Sequence, residues 1–130
     1  MPDSPLPVLY QQMADMTQPL CGTNAGGCAS HRGVNRCCHH RYCEAAKMHA
    51  SRFYGITLEA GDGELPFMGP HGCTVPPHLR PVCTLHICSF SYASPSTFAR
   101  DEQKTVEYVR LRKQILIEAE REGRTPVWQC

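Results

Sequence analysis

The sequence predicts a small, α-rich, loop-rich domain stapled by cysteine-bound metal, with a short helix after a Cys-Cys doublet and a long C-terminal helix. Three observations predict it. Nine of the 130 residues are cysteine. The stretch 55–82 is dense in Gly and Pro, so little regular structure is expected there. Two stretches, 38–54 and 96–122, repeat apolar residues at helical spacing. A chain of this length reads as one domain with a modest core, for which a covalent or metal staple is useful.

Four segments follow from composition. Residues 1–20 read as a proline-punctuated N-terminal arm, 21–95 as the cysteine-rich, metal- or cluster-binding body, 96–123 as a helix packed on that body, and 124–130 as a tail. Within the arm, Val8 to Met16 have the composition of a short helix, which Pro19 stops. From Cys21 to Asn35 the chain is rich in Gly, Ser, Asn and Thr, with almost no large apolar residue. Such a loop, carrying two thiols, is suited to wrapping a ligand.

Cys38 to Tyr54 is expected to be helical and to end at Gly55, the favoured residue just past a helix. Tyr42, Ala45, Ala46, His49 and Phe53 would form its inner face, with Glu44, Lys47 and Arg52 on the other side. Beyond the Gly/Pro-rich stretch, which leaves room for one short strand, Thr84 to Phe90 reads as a brief helix or strand. Ser96 to Glu122 reads as one long helix, capped by Ser96 or Thr97 and stopped by Gly123. Its apolar stripe would be Val106, Tyr108, Val109, Ile115, Leu116 and Ile117.

The cysteines carry the chemistry. Eight of them, Cys21, Cys28, Cys37, Cys38, Cys43, Cys73, Cys83 and Cys88, fall in the first two thirds of the chain and are the candidate metal ligands. Cys130, the last residue of the sequence, stands apart as a tail thiol. In a reducing compartment this density favours metal binding or redox chemistry over structural disulfides. No Cys-x-x-Cys occurs, which argues against zinc ribbons, RING-type sites and thioredoxin-like pairs. Neighbouring Cys37 and Cys38 cannot easily pair with each other, so each must reach a different partner or a different atom of one centre. At a helix start the positive end of the dipole would favour their thiolates. Of the nearby histidines, His39, His40, His71, His78 and His86 read as neighbours of the ligand set rather than members of it.

The second cysteine group, GPHGCTVPPHLRPVCTLHIC, combines Cys73, Arg80-Pro81, Cys83 and Cys88. Together with Leu65-Pro66-Phe67 before it and the Cys37-Cys38 doublet, this run resembles the bacterial YkgJ-type zinc- or iron-chelating domains over roughly residues 21–90. The first half departs from that pattern, since Cys28 lies nine residues before Cys37 where the family places it three residues away. The resemblance implies a small fold held by cysteine-bound zinc, iron or an iron-sulfur cluster. Thiolates suit zinc and iron-sulfur clusters about equally, so the cofactor expected is one or the other.

An enzyme reading finds little support. NRCCHHRYC superficially resembles the catalytic segment of secreted phospholipases A2, but the residue after His40 is Arg41, where that mechanism needs an Asp. A cluster-dependent redox activity stays open, because an open coordination position leaves no mark in sequence. So do two alternatives: a metal-stapled adaptor that binds a protein partner or a second copy through the helix 97–122, and a disulfide-rich secreted domain. The 13 basic and 12 acidic residues give no electrostatic case for nucleic acid. No apolar run is long enough for a membrane span, and MPDSPLPVLYQQMADM shows no signal core, so a cytoplasmic location is expected.

Overall fold

In a computed structural model the described residues are 4–18, 40–59, 67–69, 72–87 and 95–126. Helices dominate them: α1 (Leu6–Thr17), α2 (His40–Tyr54), α3 (Pro81–Leu85), α4 (Pro95–Arg100) and α5 (Glu102–Arg121). A two-residue antiparallel ladder, β1 (Met68–Gly69) with β2 (Gly72–Cys73), and a 3₁₀ turn at Pro77–Leu79 lie between α2 and α3. Met68 pairs with Cys73 and Gly69 with Gly72.

The segment read as an arm holds a helix that belongs to the core. Pro5 and Pro7 sit at the start of α1, where a missing N–H costs nothing. Leu6, Leu9, Tyr10, Met13 and Thr17 then recur at helical spacing and are all buried. Leu6, Leu9, Tyr10 and Met13 pack on Leu85 of α3 and on Leu111, Ile115 and Ala119 of α5. A second cluster joins Cys43 and Ala50 of α2 to Phe67, Val75 and Leu79, with Tyr54, Leu58 and Cys73 packed against it.

The helix α2 ends as the sequence suggests, with Gly55 at φ +63. That is a left-handed conformation which glycine adopts without a side-chain clash. Its inner face differs from the expected one, being built from Cys43, Ala46, His49 and Ala50, while Ala45 and Phe53 are only half-buried. The residues before His40, where the helix was expected to begin at Cys38, lie outside the described ones.

The expected single helix over 96–122 is two helices. Asp101 adopts an extended conformation (φ −86, ψ 99), and its side chain accepts from the backbone N–H of Lys104 at 3.1 Å. Asp competes for backbone donors better as a cap than in a helix interior, so Asp101 and not Ser96 or Thr97 starts α5. The far end matches the expected stop. Gly123 has φ +70, its N–H donates to the Glu120 carbonyl, and the Arg124 N–H donates to the Ala119 carbonyl. These are the two bonds of a Schellman cap.

The stripe expected on α5 is also corrected. The buried positions are Leu111, Ile115 and Ala119, with Tyr108 and Leu116 beside them, whereas Val106, Val109 and Ile117 are 65%, 56% and 58% exposed. The sequence holds two apolar stripes on opposite faces of one helix, and helical period alone does not distinguish which one faces the core. Tyr108 fixes the choice by donating from Oη to the Leu85 carbonyl at 2.9 Å and by meeting Phe98 edge-on at 5.4 Å.

This assignment predicts that Ile115→Ala lowers the unfolding free energy by about 3 kcal/mol, whereas Ile117→Ala changes it by less than about 0.5 kcal/mol. Urea titrations of the two variants would check both; equal losses would mean that α5 is rotated about its axis. Asp101→Ala should cost about 1 kcal/mol in the same assay by removing the cap.

Candidate functional site

Three of the eight candidate ligands are among the described residues, and the fold brings all three to one region. Cys43 lies on the buried face of α2, Cys73 ends β2, and Cys83 is in α3. Cys43 and Cys73 share the second core cluster. Each of the three carries a free thiol. Cys21, Cys28, Cys37, Cys38 and Cys88 lie outside the described residues, as does Cys130.

Burial governs these thiols. It pushes the Cys43 thiol up to about 11, with smaller upward contributions from Cys73 and Cys83, against the Phe67 backbone N–H and Lys47, which pull it down. The Cys73 thiol is also raised by burial, opposed by the Arg80 guanidinium and the Val75 backbone N–H. The charges of Cys73 and Cys83 act on Cys43, and that of Cys83 acts on Cys73. Among the described residues, however, no three His, Cys, Asp or Glu side chains form a group able to hold a metal ion.

Arg80 is the centre of the region. It is only 8% exposed, and among the described residues no carboxylate pairs with it. Its Nε donates to the Val75 carbonyl at 2.7 Å and its Nη1 to Gln18 Oε1 at 2.5 Å. Thr84 Oγ1 and Cys83 Sγ lie 3.4 and 4.0 Å from the same Nη1. Gln18, at the end of α1, completes the circuit: its Nε2 donates to the Cys83 carbonyl at 2.8 Å and contacts Cys83 Sγ at 3.2 Å. A buried guanidinium without a counter-ion keeps a desolvation cost of several kcal/mol, which an anion beside it would offset.

From the sequence, Arg80 is a candidate donor to a thiolate or a carbonyl, and the Val75 carbonyl is such a partner; Gln18 carries no expected role. Nothing in the spacing could have found Gln18, because its partners are 62 and 65 residues away. The loop 74–80 is held by Thr84, whose Oγ1 donates to the Pro77 carbonyl at 2.9 Å, and α1 is tied to α3 by Thr17 Oγ1 donating to the Thr84 carbonyl at 2.8 Å.

A second polar group lies at the other end of α2. His49 is 6% exposed, its Nδ1 has no hydrogen-bond partner among the described residues, and its ring meets Phe53 edge-on at 4.8 Å. It also lines a crevice of ≈20 Å³ with Met48, Pro81 and Val82, a space of the size of a single water molecule. Tyr54 stands beside it, 5.9 Å from His49 and 5.4 Å from His78 between ring centroids, with the Arg124 guanidinium 4.1 Å above the phenol ring. Arg124 is held there by Glu122 at 3.1 Å, and Glu122 accepts from Ser4 Oγ at 2.8 Å. Burial, with His78 and Arg124 adding to it, lowers His49 to about 4, and burial lowers His78 as well. Both imidazoles are therefore neutral at pH 7.

No family model, curated protein or solved structure matches the chain. Among the described residues, no helix is long and apolar enough to cross a membrane.

The state of His49 sets a pH dependence. Its imidazole ionises near 6.5 when unfolded and near 4 when folded, so between those values the unfolded chain binds more protons. The stabilisation is complete above pH 6.5 and is lost as pH falls toward 4, by up to about 3 kcal/mol at the acid end. His49→Leu should flatten the stability profile in that window relative to the unaltered chain. Parallel profiles for the two proteins would show that His49 does not ionise differently on folding.

Proposed function

We propose that the chain is a cysteine-based metal module, binding zinc or an iron-sulfur cluster, with Cys43, Cys73 and Cys83 among the ligands. The observation that carries this reading is the buried Arg80 guanidinium beside Cys83 and Cys73 with no carboxylate partner among the described residues. Metal-bound thiolates bring net negative charge, which is what a buried cation at this position lacks. Two further features agree. The sulfurs face N–H donors at Phe67, Val75 and Gln18, the kind of surrounding partner that orients ligands and tunes a metal. The donors are also soft, as zinc and iron-sulfur clusters require.

As placed, Cys43, Cys73 and Cys83 do not by themselves form a group able to hold a metal ion, so a four-coordinate site needs ligands beyond them. The remaining ligands are proposed from Cys21, Cys28, Cys37, Cys38 and Cys88. When bound, zinc would supply a structural cross-link, and a cluster would supply a one-electron site. The protein's part is to hold the sulfurs on α2, β2 and α3, to exclude water through Phe67, Val75 and Leu79, and to set Arg80 against their charge. Because Cys43 and Cys73 are raised as free thiols, binding must release their protons, and affinity should fall as pH is lowered.

Metal and acid-labile sulfide content, measured with a visible spectrum on protein purified without oxygen, tests the reading. Iron with sulfide, or zinc without it, is expected in the unaltered chain and in Cys130→Ser, and should be lost in Cys43→Ser and Cys83→Ser. Arg80→Met should retain the ligands and weaken metal binding about 10- to 100-fold. A chain that holds neither metal, or keeps it in both serine variants, would sink the assignment.

A further inference from the structure

The outward face of α5 has no part in the thiol region. Val106, Val109, Lys113 and Ile117 follow one another at helical spacing on the side opposite Leu111, Ile115 and Ala119. Three of those four are large aliphatic residues more than half exposed. An exposed aliphatic residue alone means little, but a row of them along one helix marks a surface suited to a partner. Next to the row, α1 and α5 flank an open, shallow cleft of ≈340 Å³ whose lining includes Pro5, Leu9 and Ile117. That is the size of a small ligand pocket, with room for side chains rather than for a single water.

Charge decides what fits. Arg110 and Lys113 line the cleft, and among the described residues neither makes an ion pair or a side-chain hydrogen bond. The acid at the rim, Glu118, is taken by Arg121 one turn on. The cleft therefore offers an apolar floor under two uncommitted cations. Two cations on a chain of net charge +1 are too few for a phosphate backbone. A second copy is also a poor occupant. An antiparallel pairing that sets Val106 of one copy on Ile117 of the other sets Arg110 against Lys113, with like charges at the centre of the contact.

We propose that this cleft is a docking site for an amphipathic helical segment of another protein, one that carries apolar anchors flanked by Asp or Glu. The mode is helix-in-groove, with Ile117 and Leu9 receiving the anchors and Arg110 and Lys113 pairing with the acids. Ion pairs at an open rim set specificity and salt dependence more than affinity, so the apolar contact supplies most of the binding.

A displayed library of short peptides, selected against the full chain, tests this without knowledge of the natural partner. Peptides with paired large apolar residues and a surplus of acid should be enriched. Their binding to the chain should weaken with added salt, and should drop about tenfold or more in Ile117→Ser and in the Arg110→Glu, Lys113→Glu double variant. All three positions are off the core, so circular dichroism should show both variants folded. The proposal is overturned if no sequence is enriched, if enriched sequences lack the acidic surplus, or if they bind the double variant equally well. It is also overturned if sedimentation shows the chain dimerising through this face and Ile117→Ser abolishes the dimer. Metal content is expected to be the same in all these proteins, so the outcome is separate from that of the thiol site.

Discussion

One buried cation, Arg80, organises the region around the described thiols. Arg80 spans the end of α1 through Gln18, the turn after β2 through Val75, and α3 through Thr84. Gln18 is 62 residues from Arg80 while Val75 and Thr84 are its close sequence neighbours, and hydrogen bonds from one guanidinium tie α1 to that local segment. Such a group is expensive to bury, so its surroundings are constrained more tightly than those of an apolar residue. Phe67, Val75 and Leu79 pack nearby in the cluster that also holds Cys43 and Cys73. The thiols thus lie where a charge is already fixed, and the charge has the sign that complements thiolate.

The two core clusters divide the labour. The first, formed by α1, α3 and α5, is an ordinary helical core of Leu, Met, Ile and Tyr. The second is small, contains two cysteines, and is bordered by short and irregular elements. α3 connects them, since Leu85 packs in the first while Cys83 faces Gln18 and Arg80. A two-residue ladder and one 3₁₀ turn provide few backbone bonds, so side chains take over that role through Thr74, Arg80 and Thr84, each bonding a carbonyl of the same segment. A metal held by the neighbouring cysteines would add a cross-link where regular structure adds least.

The far end of α2 contrasts with the cysteine region in its electrostatics. Neutral His49 and His78, the phenol of Tyr54 and the paired Arg124 and Glu122 make a polar junction between α2, the 3₁₀ turn and the chain after α5. Residues 124–126, expected to be a tail, return to this junction, where Arg124 covers Tyr54 and Pro126 is buried. Acid pH disturbs such a junction because protonation would place new positive charge beside Arg124 in a poorly hydrated setting.

The sequence by itself determined the dominance of helix among the described residues, the left-handed glycines that end α2 and α5, and the shortness of the regular elements in the described part of the Gly/Pro-rich stretch. These are local matters, decided by period, capping and the conformational freedom of Gly and Pro over a few residues. It also singled out the cysteines as the chemically distinctive residues. Only the tertiary structure decided which of two apolar stripes on α5 faces inward, because a helix with two such faces has the same period either way. It also placed α1 in the core, and it brought Cys43, Cys73, Cys83, Gln18 and Arg80 together, pairings set by packing between segments up to 65 residues apart. The break at Asp101 lies between the two cases: the capping residue stands in the sequence, but the helical period runs on past it. The bend is settled by Phe98 packing on Tyr108 and by Thr105 Oγ1 reaching back to the Phe98 carbonyl at 3.2 Å.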